Sequence, residues 1–372
     1  MDAPFYDDVR TRCVDALILV VGEVVGGHER QLLGIVQGLI AQSLTVEVVC
    51  SSRQVACFFN ENGICAVTKN IFRLGKVWQQ FRFARSYALE MKTAFNSSRL
   101  VLVSGGTVEA CVALCRASKI ANADNKVFAY VPMYINRSYA GRGVSRAYDF
   151  LLRALLRSVD RFITINKVQA ALLTRFFRVP CSVVNNVVVP VSQKPPYRGQ
   201  RLVFCGRLDD GQKNITGLIS WLDTVENPYR ELLIIGDGPD SSKVTQAASS
   251  VECIKIHMLG WVKPESIADV VSSGDLLVLN SRWEGEPMVV REFSGVGIPC
   301  VAPDIDGFRL VVPKKMRFSD RKELLSILSA YHERSISTPL GPCASMEFHI
   351  ARRDSQLRRL ALLVEREAGG IS

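Results

Sequence analysis

The stretch Leu276-Leu277-Val278-Leu279-Asn280-Ser281-Arg282-Trp283-Glu284-Gly285-Glu286-Pro287-Met288-Val289-Val290-Arg291-Glu292-Phe293-Ser294-Gly295-Val296-Gly297-Ile298-Pro299-Cys300-Val301-Ala302 decides the fold. Leu276–Leu279 is an unbroken apolar run, which reads as a buried strand. Pro299–Ala302 is another. A Gly- and Pro-marked loop lies between them, followed by a short helix from about Met288 to Ser294. Gly295 and Gly297 end that helix. Strand, polar loop, helix, strand is a βαβ unit, and such sheets bind ligands at the carboxyl ends of their strands. Glu284 falls in the loop and Glu292 in the helix. A helix start favours an anion or hydroxyl groups, and two carboxylates beside it can accept hydroxyl protons in hydrogen bonds. Solvated charges on a surface loop and helix are the other reading.

The same winding runs through the rest of the chain. Ala16–Val21 is an apolar strand. It leads through the glycine-containing turn Gly22–Gly27 into a helix with Leu32, Leu33, Ile35, Val36, Leu39 and Ile40 on one face. Thr45–Val49, Leu100–Val103, Val127–Pro132 and Arg161–Asn166 read as further strands. Residues 190–200, with Pro195, Pro196 and Gly199, fit neither helix nor strand and read as an interdomain linker. A second winding opens at Arg201–Gly206 and continues through Leu232–Pro239, Ile254–Val262, Leu276–Leu279 and Val301. The final stretch from Ser345 reads as an amphipathic helix. The expected fold class is α/β, two Rossmann-like doubly wound domains: residues 1–189 with the helix 345–372, and residues 190–344.

Composition bounds the function. The chain has 372 residues, 48% hydrophobic and 22% charged, enough for two globular domains and unlike a disordered chain. Its 46 Lys and Arg against 36 Asp and Glu give +10, a balance suited to nucleotide phosphates, an anionic membrane surface or nucleic acid. Eleven cysteines, an odd number scattered partly through apolar runs such as Val203-Phe204-Cys205, are expected to be reduced core residues of a cytosolic protein. Met1–Arg12 lacks the basic start of a signal peptide. No apolar run reaches the roughly 18–20 residues that span a bilayer, so any membrane contact is expected from the surface. Between Asn70 and Leu100, Arg73, Lys76, Arg82, Arg85 and Lys92 interleave with Phe72, Trp78, Phe81 and Phe83. Such a stretch suits either an anionic membrane surface or a half-buried helix with solvated charges. Arg146, Arg153 and Arg157 recur at helical spacing among leucines.

The pattern S-x-x-E-G-x-P-x-x-x-x-E-x-x-x-x-G-x-P, here Ser281, Glu284, Gly285, Pro287, Glu292, Gly297 and Pro299, resembles the signature of family 4 retaining glycosyltransferases. Gly26-Gly27-His28-Glu29-Arg30 resembles the family's opening motif, and Gly206-Arg207-Leu208 with Lys213 resembles its G-R-L…K. The resemblance implies the GT-B fold, with the two domains facing a cleft and the last helix crossing back to the first domain. It implies transfer of a sugar from a UDP- or GDP-sugar to a hydroxyl of a glycan or lipid-linked acceptor, as in bacterial surface polysaccharide or lipopolysaccharide synthesis.

The resemblance also assigns residues. Arg207 and Lys213 bind the diphosphate, an Arg forking onto two oxygens and a Lys supplying a point charge. Glu292 binds the ribose. Glu284 and the backbone of Glu286, Pro287, Met288 and Val289 hold the donor sugar. Gly236 lies in a turn near the donor, Gly260, Trp261 and Val262 lie beside the base, and Gly27 approaches the diphosphate from the first domain. Glu284, Arg207 and Lys213 are the catalytic set. No metal and no cofactor are implied, and nucleic acid is not an expected partner. The place expected is the cytoplasm, peripheral on the cytoplasmic face of the inner membrane. One departure stands out. Many members carry a histidine after a first-domain strand, where this chain has Ala129-Tyr130-Val131-Pro132-Met133-Tyr134, so Tyr130 or Tyr134 is expected in its place. Other GT-B chemistry (a nucleotide-sugar epimerase or an inverting transferase) and a non-catalytic binder of anionic surfaces are the competing expectations.

Overall fold

The computed structural model describes residues 13–23, 25–69, 77–134, 146–186, 197, 199–263, 266–333 and 346–369. The chain forms two compact units: residues 1–186 with 351–372, and residues 187–350. The expected linker at 190–200 lies mostly outside the described residues, as do Phe72, Arg73, Lys76, Arg142 and Cys343.

The first unit is a seven-stranded parallel sheet in the order β3-β2-β1-β4-β5-β6-β7. Its strands are β1 (Val14–Val20), β2 (Val46–Cys50), β3 (Ala66–Thr68), β4 (Ser98–Ser104), β5 (Lys126–Tyr130), β6 (Arg161–Thr164) and β7 (Cys181–Val183). Successive side chains of a strand point to opposite faces, and here both faces are covered. Ala16, Ile18, Val20, Leu100 and Leu102 enter one core layer. Leu17, Leu19, Val101 and Val103 enter the other. Burial on both faces is why these strands read as unbroken apolar runs rather than alternating ones.

The helix Gly27–Ile40 covers one of these layers, and the closing helix Met346–Gly369 joins it there through Leu357, Leu360, Ala361 and Val364. The last helix therefore does return to the first unit. Glycines let the two helices approach. A Cβ on Gly34 would lie 1.9 Å from Arg353 Nη2, and one on Gly38 would lie 2.6 Å from Leu357 Cδ1. Burying a leucine there contributes roughly 1.5–3 kcal/mol, and any side chain at Gly38 displaces Leu357.

The second unit is a six-stranded sheet in the order β10-β9-β8-β11-β12-β13. It comprises β8 (Leu202–Cys205), β9 (Glu231–Ile235), β10 (Lys255–Gly260), β11 (Leu276–Val278), β12 (Cys300–Pro303) and β13 (Arg317–Phe318), paired in parallel. At its amino end Arg201 grips the fully buried Asp275 through Nε (3.2 Å) and Nη2 (2.8 Å), which pins β8 to β11. Counted within each unit, the first six strands of both sheets follow the order 3-2-1-4-5-6. The order reverses between β1 and β4 and again between β8 and β11, and an open α/β sheet has its ligand crevice beyond the carboxyl ends of the strands at such a switch point. No helix among the described residues is long and apolar enough to cross a membrane.

The cysteine expectation needs correction in part. Cys50, Cys111, Cys115 and Cys300 are buried, but Cys13, Cys57 and Cys65 are exposed. All ten described cysteines are free thiols. Cys13 and Cys65 lie just before β1 and β3, and Cys57 lies on the helix Arg53–Glu61, whose buried residues are Val55, Ala56 and Phe59, so a cysteine's preference for the core does not decide each position.

Candidate active site

The loops that leave β8 and β11 meet at the second unit's switch point. After β8 the chain passes Gly206, Arg207 and Leu208, then enters the four-residue helix Asp210–Lys213 with Asp209 as its cap: Asp209 Oδ1 accepts from the Gln212 N–H at 3.1 Å. Asn214 turns the chain through a left-handed conformation, φ 50°, into the helix Ile215–Leu222. After β11 the chain runs through Arg282 and Glu284 to Pro287, the cap of the helix Met288–Gly295. Proline suits that place, because it donates no N–H and presets a compatible φ.

Lys213 and Glu284, 71 residues apart, come together there. The Lys213 ammonium donates to Glu284 Oε1, and both side chains are largely buried. Glu284 is held from behind by Gly307, where a Cβ would come within 2.4 Å of the Glu284 carbonyl oxygen. Arg207 stands beside this pair in sequence but not in burial: its side chain is 57% exposed, with Nη2 3.2 Å from Asp209 Oδ2. An exposed guanidinium next to a strand's carboxyl end is available to an anion. Glu292, on the helix Met288–Gly295, is half-buried. Burial pushes the Cys205 thiol up to about 12, with the charge of Glu292 adding to the effect and that of Lys213 opposing it. Both charges are thus felt at the end of β8.

The β9 loop closes against the β8 loop backbone to backbone. Gly206 N–H donates to Ile235 O at 2.9 Å, Leu208 N–H to Asp237 O at 3.0 Å, and Gly236 N–H to Gly260 O at 2.7 Å. Gly236 has φ +142°, and a Cβ there would lie 1.9 Å from Gly206 O, so only glycine fits. Gly260 ends β10, Trp261 follows it 62% exposed, and Val262 packs on the core. Glu286, expected to contribute only its backbone, has a buried carboxylate that accepts from Arg291 Nε at 2.6 Å. This ion pair folds the Glu286–Val289 loop onto the first turn of the helix it precedes.

Sequence reasoning missed four residues here. Arg282 donates to the carbonyls of the helix Asp210–Lys213, Gly307 packs on Glu284, and Arg291 holds Glu286. Asp210, with 4% exposure, gathers Thr216 Oγ1 and Lys243 Nζ at 2.7 Å each. Only Glu286–Arg291 left a trace in the sequence, opposite charges five positions apart across a helix start.

At the first unit's switch point, Gly27 opens the helix Gly27–Ile40, and the carboxylate of Glu29 accepts from the Gly26 N–H at 2.8 Å. Burial pushes the Glu29 carboxyl up, but His28 and the Gly26 N–H outweigh it and hold it below its ordinary value. His28, the middle residue of the opening motif Gly26–Arg30, is fixed on three sides. Its Nδ1 lies 3.1 Å from Glu29 Oε1, its Nε2 lies 2.7 Å from Ser104 Oγ, and its ring stacks on Tyr130 at 5.3 Å. With Glu29 accepting, Nδ1 donates and Nε2 takes the Ser104 hydroxyl in the neutral ring. Tyr130, expected to face a ligand, is fully buried beneath His28, and Tyr134 packs on Phe176 and Phe177. The reason is register: Tyr130 is the last residue of β5, pointing into the same core layer as Phe128.

Residues 199–324 match the family model described as Glycosyl transferases group 1. A lipopolysaccharide 1,6-galactosyltransferase of Salmonella typhimurium is 34% identical over 128 residues, 32% of this chain and 34% of that protein. A phosphatidyl-myo-inositol mannosyltransferase of Mycobacterium leprae is 32% identical over 120 residues, 32% of each chain. The matched region thus spans about a third of the length of these curated relatives. Among solved structures, the apo form of the lipopolysaccharide outer core galactosyltransferase WaaB aligns with a TM-score of 0.66 at 18% identity, over 94% of this chain and 99% of that one. At that identity the likeness shows the fold alone.

Proposed function

We propose, for a GT-B chain whose residues 199–324 form a glycosyltransferase group 1 domain, that the protein is a retaining glycosyltransferase. It takes a sugar from a nucleotide-sugar, a UDP- or GDP-sugar, and delivers it to a hydroxyl of a glycan or lipid-linked acceptor. The observation that carries this reading is the meeting of Lys213 with Glu284 at the β8/β11 switch point, with the exposed Arg207 on the same loop after β8 as Lys213. Cations are what a departing nucleoside diphosphate requires, and a carboxylate next to them is what a sugar hydroxyl requires.

In this reading Arg207 and Lys213 neutralise the diphosphate, so no metal is called on for that task. Glu292 takes the ribose hydroxyls, and Trp261 offers a face beside the base. Glu284 and the backbone from Glu286 to Val289 hold the sugar. The acceptor oxygen bonds to the anomeric carbon on the face from which the phosphate leaves. The bond between that carbon and the phosphate oxygen breaks, its electron pair stays with the diphosphate, and the acceptor's proton passes to the departing phosphate oxygen. Retention at the anomeric carbon follows. The relatives named for lipopolysaccharide and phosphatidyl-myo-inositol support an acceptor in surface-glycan or glycolipid assembly, with work done at the cytoplasmic face of a membrane.

The test is nucleotide binding. Thermal-shift titration should show stabilisation by UDP, GDP or their sugars. Arg207→Ala and Lys213→Ala should each lose a charge-assisted contact of about 1.5–3 kcal/mol, a tenfold or larger loss of affinity. Undiminished affinity in both variants would remove the diphosphate assignment.

A further inference from the structure

We propose that Arg282 is a positioning residue for Lys213: it clamps the turn Asp210–Asn214 so that Lys213 and Glu284 stand as one preset pair. The inference rests on the donor-site reading above and extends it to a residue that touches no ligand in that reading.

The last carbonyls of a helix lack intrahelical partners. In this four-residue helix Asp210 O accepts from the Asn214 N–H at 3.0 Å, and Arg282 adds side-chain donors to that turn. Its Nη1 donates to Asp210 O at 2.7 Å and Gly211 O at 2.9 Å, and its Nη2 to Asn214 Oδ1 at 2.6 Å. Its own N–H donates to Gln212 O at 2.8 Å, and Gln212 Nε2 returns a bond to Trp283 O at 3.2 Å. The cation also sits at the negative end of that helix. These acceptors flank Lys213 on both sides in sequence, and Asn214 is the left-handed residue that sets where the chain goes after Lys213. In the loop after β11 Arg282 lies two positions before Glu284, whose carbonyl Gly307 closely approaches. One guanidinium therefore joins the segment carrying the ammonium to the segment carrying the carboxylate. A lysine carries the same charge but cannot fork across three acceptors.

The rival role is a direct one. Arg282 is exposed, and a guanidinium has five N–H donors, so it could touch the anion itself. A double-mutant cycle separates the two. The variants are Arg282→Met, Arg282→Lys, Lys213→Met and Glu284→Gln, singly and combined. The readouts are calorimetric affinity for UDP and GDP, and urea unfolding without nucleotide. With positioning, Arg282→Met weakens nucleotide binding roughly tenfold, and Arg282→Lys nearly as much. Once Lys213 is already Met, Arg282→Met then changes affinity by less than about twofold. In unfolding, the coupling between Lys213 and Glu284 falls by about half or more in the Arg282→Met background. Additive affinity losses with full rescue by Arg282→Lys would make Arg282 an anion ligand and overturn the proposal. An undiminished Lys213–Glu284 coupling in unfolding would overturn it with no nucleotide involved. If the wild-type chain binds neither UDP nor GDP, the donor-site reading fails, and the unfolding cycle still decides whether Arg282 positions the pair.

Discussion

Glu284 and Glu292 are both carboxylates at one switch point, yet their surroundings differ enough to give them different work. Glu284 is paired with Lys213 and largely buried, whereas Glu292 is half-buried on a helix. In the proposed reading the nucleotide's phosphate competes with Glu284 for Lys213. Removing Glu284 frees that ammonium, so Glu284→Ala should leave free UDP or GDP binding unchanged or tighten it while turnover falls. Glu292→Ala should weaken free nucleotide and sugar-nucleotide alike, because both carry the ribose. Losing a hydrogen bond to a charged group costs about 1.5–3 kcal/mol, which calorimetry resolves easily. Equal weakening of free nucleotide by the two variants would mean that the division of roles is wrong.

At the scale of elements, the helix Asp210–Lys213 is held by a carboxylate whose charge matters. Asp210 accepts from Thr216 N–H at 2.8 Å, Thr216 Oγ1 at 2.7 Å and Lys243 Nζ at 2.7 Å, which ties three helices at one point. Burial pushes the Asp210 carboxyl up, but Lys243 and Thr216 outweigh it and hold its pKa at about 2, below the ordinary 3.8. A depressed carboxylate stabilises the fold above its unfolded pKa, and that stability is lost as pH falls through the folded value. Since Lys243 is well exposed and screened by solvent, the contribution is about 1–2 kcal/mol at neutral pH. Asp210→Asn should show that deficit in urea unfolding at pH 6, and the gap to wild type should narrow by about half near pH 3. A gap independent of pH would mean that the hydrogen-bond geometry, not the charge, is what Asp210 supplies. None of this was legible in sequence. A four-residue helix is too short to show periodicity, and the bonds from Arg282 and Lys213 span some 70 positions. The strands were legible because parallel strands buried on both faces are apolar without a break. The helix Met288–Gly295 was legible because Pro287 and Gly297 bracket it. Tyr130 was misjudged because an apolar run bounds a strand but does not say which face its last residue takes.

At the scale of the whole molecule, charge is distributed unevenly. Residues 69–178 carry nineteen Lys and Arg against five Asp and Glu, an excess larger than the chain's net +10, so the remainder is net acidic. Nucleotide steering alone gives no reason to place that excess in the unit that lacks Arg207 and Lys213. The helix Arg146–Leu155 in that region also presents apolar surface: Phe150 is 72% exposed and Leu151 36%, with Arg153 on the same helix lying over the Phe176 ring. Basic residues beside exposed aromatic and aliphatic side chains suit an anionic lipid surface, each Lys or Arg near it contributing about 1 kcal/mol within a Debye length. The protein should therefore pellet with vesicles rich in phosphatidylglycerol at low salt, release at high salt, and bind phosphatidylcholine vesicles weakly. Phe150→Ser should weaken recovery with anionic vesicles while leaving nucleotide binding in the second unit intact, because shallow apolar insertion adds to the electrostatic attraction. Recovery in the supernatant from both vesicle types at every salt concentration would instead favour a soluble acceptor, with the basic excess serving attraction of an anionic glycan in solution.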